Sequence, residues 1–232
     1  MLYPADEAIS EDRKVCRKVL LMIANLLNTE LKAIYSFLKR NYRELVVLGS
    51  ATLFLILSNY HPVWHRWFSA DLYYAIMPVL SILILLRKNP LDFGLRLGNP
   101  RIWGLHVGVT CLIALPIVYL ASRDASFQAF YTIAEFSPLV YFLETAAYLL
   151  AWEFIFRGFL LFGLKERLVE LSILVQMVPF VLLHINKPEI ETMSTIMMGV
   201  YLGYIAYRGN SYWPAFIIHL FVNISLVFFI NL

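Results

Sequence analysis

Charge is scarce in this chain of 232 residues: 15% are Asp, Glu, Lys or Arg, while 60% are hydrophobic. That balance excludes an ordinary soluble domain, whose charged share is about 25%, and places the chain in the membrane class. Cysteine is scarcer still. Cys16 and Cys111 are too few for a disulfide framework or a zinc cluster, and Cys16 lies in an arm expected in the cytoplasm, where thiols stay reduced. No segment alternates apolar and polar residues as a barrel strand must, which leaves helices as the way to satisfy a backbone in lipid. The first residues carry Asp6, Glu7 and Glu11 in place of a leading apolar core, so no cleavable signal peptide is expected. Long repeats and low-complexity tracts are also missing. The net charge of +3 implies no nucleic-acid partner.

What is present is apolar and segmented. Seven apolar stretches run at about Leu45–Asn59, Ala70–Leu86, Ile102–Ala121, Pro138–Gly163, Leu171–His184, Ile190–Tyr207 and Tyr212–Ile230. Several fall short of the ~20 residues that span a bilayer unaided, so tilt or local thinning is expected. With the N-terminus inside, fifteen Lys and Arg residues fall in cytoplasmic segments, while Arg66, Arg123 and Lys187 fall outside. That asymmetry predicts a multi-pass membrane protein, N-terminus in and C-terminus out; the membrane expected is a bacterial cytoplasmic one. Residues 12–39 carry Val15, Val19, Met22, Ile23, Leu26, Ile34 and Leu38 at helical spacing among basic residues. This predicts an amphipathic helix at the membrane surface or packed on the protein's cytoplasmic face. The expected fold is therefore an all-α membrane protein, with an interfacial arm (1–42) and a bundle of about seven transmembrane helices (43–232).

Within this apolar background a few polar side chains stand out. Glu153 and Arg157 lie four residues apart inside the fourth segment, on one helical face and able to pair. Each costs roughly 2.5–3.5 kcal/mol at a membrane centre on insertion scales, so function is the default reading and a packing ion pair the bland one. His184 ends the fifth segment, and His219 and Asn223 share a face of the last. Glu144 is nine residues before Glu153, about 180° around the helix, and is read as lining another interface or the outer mouth. Glu189 and Glu191 follow Pro188 at a helix start, where the helix dipole accounts for them; a substitute catalytic carboxylate is the other reading. His61 and His65 have metal-ligand spacing, but Pro62 between them breaks the helix such a pair needs. Thr195, Gly199 and Gly203 form a small-residue stripe that invites close helix approach.

The ordered trio Glu153-x-x-Phe156-Arg157-Gly158, Phe180-x-x-x-His184 and His219-x-x-x-Asn223 resembles the CAAX-protease and bacteriocin-processing (CPBP, or Abi) family of intramembrane proteases. The resemblance runs from about Pro90 and includes Phe93–Gly98 and Gly203–Arg208. One position departs. The family usually has two adjacent glutamates and assigns water activation to the first; here that position is Trp152. The resemblance implies an endopeptidase cleaving a peptide or protein at the lipid bilayer. Its catalytic set would be Glu153, Arg157, His184, His219 and Asn223, with water activated by Glu153 and His184 and an oxyanion hole from His219 and Asn223. No cofactor is expected. A divalent metal is the alternative, and Glu153, His184 and His219 would then hold it. The alternative function is an inactive member serving binding, immunity or scaffolding, since tryptophan accepts no proton. A small transporter is a third reading, but inverted repeats are not visible. At 1.5 Å per residue these groups lie roughly 10–20 Å from the inner helix ends, which predicts a water-filled cavity reached from the cytoplasm.

Overall fold

The computed structural model describes the backbone of residues 5–232 and the side chains from Arg13 onward, Val15 excepted. Two compact units are present, Met1–Tyr42 and Arg43–Leu232. Among the described residues the first contains α1 (Ala5–Arg40), whose last turn carries Lys39 and Arg40 against the negative end of the helix dipole. The side chains of Asp6, Glu7 and Glu11, and that of Val15 in the expected apolar stripe, lie outside the described residues.

The second unit is a bundle of helices, with no strand among the described residues. Its elements are α2 (Tyr42–Tyr60, whose first residue belongs to the first unit), α3 (Arg66–Leu86), α4 (Pro100–Ala121), α5 (Ala125–Tyr131), α6 (Pro138–Leu168), α7 (Leu171–Leu182), α8 (Glu189–Gly209) and α9 (Trp213–Asn231). Every expected apolar segment forms a helix, and α5 is added in the connection between α4 and α6. Helices α3, α4, α6 and α9 are long and apolar enough to cross a membrane; α7 is a shorter apolar helix. With α2 and α8 they make an all-α bundle of about seven spans.

Local chemistry sets the helix starts. Asn99 and Asp124 accept from the backbone N–H two residues on, at Arg101 and Ser126, as N-cap residues do. Pro100 and Pro138 occupy first turns, where a missing N–H costs nothing. In α3 the turns Asp71–Ile76, just before Pro78, are widened to π geometry, which relieves the clash a proline ring makes with the preceding turn.

The two ends of this bundle differ. At one end, Tyr212 N donates to Gly94 O at 3.0 Å, Asn99 N to Gly209 O at 2.8 Å and Trp213 Nε1 to Leu95 O at 2.9 Å. Arg43 pairs there with Glu166. At the other end lie the connections 61–65, 122–137 and 183–188, joined chiefly by Asn231 to the backbone of Tyr131 and Ile133 and by Tyr131 to Glu191.

The glycine stripe of α8 does bring α7 close. Gln176 lies against it and donates to Ile173 O and Gly199 O, both at 2.8 Å. A Cβ on Gly203 would come 2.6 Å from Gln176 Nε2. Gly203→Ala therefore has to displace a buried amide from two hydrogen bonds, and we expect about 1–3 kcal/mol of destabilisation. A clear drop in unfolding temperature in detergent checks this; an unchanged one contradicts the close approach.

Candidate active site

Helix α6 carries the centre of the site. From Ala151 to Leu164 every residue is buried, so Glu153 and Arg157 sit inside protein rather than lipid. Helical turns widen to π geometry from Phe154 to Leu160, a distortion that often marks functional positions. Gly158 permits it: a Cβ there would strike the Phe154 ring and come 3.0 Å from Phe93 O. Its absence lets that ring and the Phe93 backbone close onto the helix.

Arg157 Nη1 donates to Glu153 Oε1 at 3.1 Å, and both side chains are wholly excluded from solvent. The guanidinium also stands 3.9 Å from the centre of the Phe180 ring, a cation–π contact that strengthens with desolvation. His219, from α9, donates Nδ1–H to the same Glu153 Oε1 at 2.6 Å. Glu153 Oε2 has no hydrogen-bond partner among the described residues. One carboxylate oxygen thus holds a guanidinium on one side and an imidazole on the other. With Nδ1 engaged, His219 has only Nε2 left as a lone pair.

Above this pair is a cavity of about 380 Å³, walled by Trp152, His184, His219 and Asn223, with Tyr141, Glu144, Tyr148 and others. His184 donates Nδ1–H to Phe180 O at 2.7 Å, so it too keeps Nε2 as its acceptor. The His184 and His219 rings are 6.5 Å apart, centre to centre. Asn223 Oδ1 accepts from Tyr141 at 2.7 Å, which leaves its amide N–H groups as donors. Trp152 closes the wall beside His184, ring centres 5.8 Å apart, and its buried Nε1 has no partner among the described residues.

Several expectations change. Glu153 and Arg157 do not line the cavity; they lie behind its wall, and Glu153 reaches it through His219. Glu144 lines it, in keeping with the outer-mouth reading, with Tyr148 and Trp152 at successive steps of four along α6. The 180° that separates Glu144 from Glu153 is what divides cavity wall from packed core. That spacing of four is the signal the sequence carries, and it is ambiguous because tyrosine and tryptophan also suit a membrane-interface stripe.

The entrance also changes. Besides the site residues, the cavity is lined by His65, Trp67, Phe130, Tyr131, Leu183 and Lys187, all at the end opposite Arg43 and Glu166. Entry from the basic end, expected from depth along the helices, is overturned. Glu191 is engaged elsewhere: both its oxygens accept from Tyr131 (2.9 and 2.8 Å), and Lys187 pairs with it at 2.7 Å. Burial, then the Glu191 charge, push the Tyr131 phenol up, so it stays a donor. This cluster fastens α5 to the start of α8.

Glu153, His184 and His219 do not suit one ion as a set. Glu153 is bound to His219 Nδ1, so one ion cannot take both Glu153 and Nε2 from the far side of the same ring. Among the described residues no three His, Cys, Asp or Glu side chains are gathered to hold an ion.

No curated protein and no solved structure matches the chain. Residues 135–225, the stretch that holds all five candidate residues and Trp152, match the family model described as Type II CAAX prenyl endopeptidase Rce1-like, which makes this segment CAAX-protease-like and agrees with the CPBP resemblance.

Proposed function

We propose that the chain is an intramembrane endopeptidase in which a His219–Glu153 dyad activates water. The observation that carries this is the 2.6 Å contact between His219 Nδ1 and Glu153 at the cavity wall, the geometry of a base held by an orienting carboxylate. His219 Nε2 takes a proton from water as the oxygen attacks the scissile carbonyl. The imidazolium so formed faces Glu153. Asn223 donates its amide N–H to the oxyanion, held in place by Tyr141. His219 then passes its proton to the leaving amine as the C–N bond breaks. His184 positions the water through Nε2. Arg157 touches neither water nor peptide in this scheme; it is a positioning residue that keeps Glu153 ionised and in register. The protein lies in a bacterial cytoplasmic membrane, N-terminus in and C-terminus out, with residues 1–42 as an interfacial arm.

The test is cleavage of a membrane-peptide library by the full chain in liposomes. Wild type cleaves, His219→Ala does not, and Asn223→Ala loses about 100–1000-fold in kcat, the usual cost of one oxyanion donor. A folded wild type that cleaves nothing favours the second reading, an inactive binding protein. The observation behind that reading is Trp152, whose ring stands in the cavity wall where the family's first glutamate would be.

A further inference from the structure

We infer that the cavity is served from the non-cytoplasmic side of the membrane, so that its substrate is a peptide presented there, such as the exposed stub of an anchored or exported chain. The inference rests on the proposed reaction site and adds the direction from which it is reached.

Two independent observations carry it. The first is the plug. Between the cavity and the Arg43–Glu166 end, α6 is buried without a break from Ala151 to Leu164, about 20 Å of helix. Phe156, Phe159, Leu161 and Leu164 within it are wholly excluded from solvent. The backbone bonds that join Gly94 to Tyr212 and Asn99 to Gly209 close that end. A peptide arriving there meets packed side chains, and native cores of this kind hold few voids wider than a water. At the opposite end the lining residues Phe130 and Leu183 are exposed.

The second observation is charge. The plugged end carries Arg43, Arg87, Lys88, Arg96, Arg101, Lys165, Arg167 and Arg208, and the mouth end only Arg66, Arg123 and Lys187. Lys and Arg in short loops are retained in the cytoplasm. Within this unit alone, without the basic arm, the bias still puts the plugged end inside.

Thiol labelling tests the side without requiring activity. In a Cys16→Ser/Cys111→Ser background, single cysteines replace Phe130 at the mouth, Thr145 in the cavity wall and Lys88 at the plugged end. Each full chain is treated with a membrane-impermeant maleimide in sealed right-side-out and inside-out vesicles. The expected result is modification at 130 and 145 only in right-side-out vesicles, and at 88 only in inside-out ones. The reverse pattern overturns the inference while leaving the protease reading intact. Absence of labelling at 130 and 145 in both preparations, with 88 labelled, also overturns it, because the mouth is then not open to water.

Discussion

Glu153→Gln abolishes most cleavage, by about 1,000–10,000-fold in kcat, the scale seen when the carboxylate behind a catalytic histidine is neutralised. The amide keeps the shape of the side chain and, with its oxygen at the Oε1 position, both contacts seen at 3.1 and 2.6 Å. What goes is the negative charge. The imidazolium formed during attack then loses its counter-charge, and Arg157 is left buried and unpaired. Removing one member of a buried pair typically costs 3–5 kcal/mol, so the single variant loses stability as well as rate. Glu153→Gln/Arg157→Met separates the two effects: it removes both charges and should recover most of the unfolding temperature without recovering cleavage. A second readout separates the dyad from a glutamate acting directly on water. If Glu153 works through His219, adding Glu153→Gln to His219→Ala lowers the residual rate no further, because groups that act as a unit are not additive. Additive losses would show two independent roles. Unchanged activity in Glu153→Gln would remove the residue from the mechanism.

The sequence was most legible where its physics is periodic. Seven apolar stretches appear as helices, and Gly199 and Gly203 gave away a close helix approach, though not that α7 makes it, because a missing Cβ has one main use at a helix interface. Glu153 and Arg157 were paired correctly from spacing alone. Spacing did not tell which groups face water. A carboxylate in an apolar run belongs equally to a cavity wall or to a sealed pair behind one, and the choice depends on what neighbouring helices bring. His219 closes Glu153 off from one side and Arg157 from the other, and both contacts lie beyond the reach of a pattern. Helix length likewise gave the depth of the site without telling which end is plugged. That depended on the rings of Phe93, Phe159 and Tyr212 packing across distant segments.

Trp152→Glu makes the protein worse, and its outcome decides whether the chain is an enzyme in its present form. The indole is packed on several sides: ring centres lie 5.8 Å from Tyr74, 5.5 Å from Tyr148, 5.2 Å from Phe156 and 5.8 Å from His184. Truncating a large buried ring commonly costs 3–5 kcal/mol, and glutamate adds a second acid beside Glu153, whose ionisation competes with the first. If the His219–Glu153 dyad is the working base, nothing is gained in return, and cleavage falls at least about tenfold, or 1.4 kcal/mol in the barrier. Trp152→Phe keeps most of the packing and should retain most of the rate. Trp152→Ala removes the ring without adding an acid, so comparison with Trp152→Glu isolates the carboxylate. The opposite result is equally plain. If wild type is inert and Trp152→Glu alone acquires cleavage, then a carboxylate beside His184 is the missing base and the tryptophan has closed a site whose other parts remain assembled. Acquired activity in Trp152→Ala as well would assign the block to the bulk of the indole in the cavity rather than to the lost acid. Measured in liposomes on one peptide, with unfolding temperatures beside the rates, these three variants distinguish a dyad that replaced the family's glutamate from a cavity that has stopped cutting.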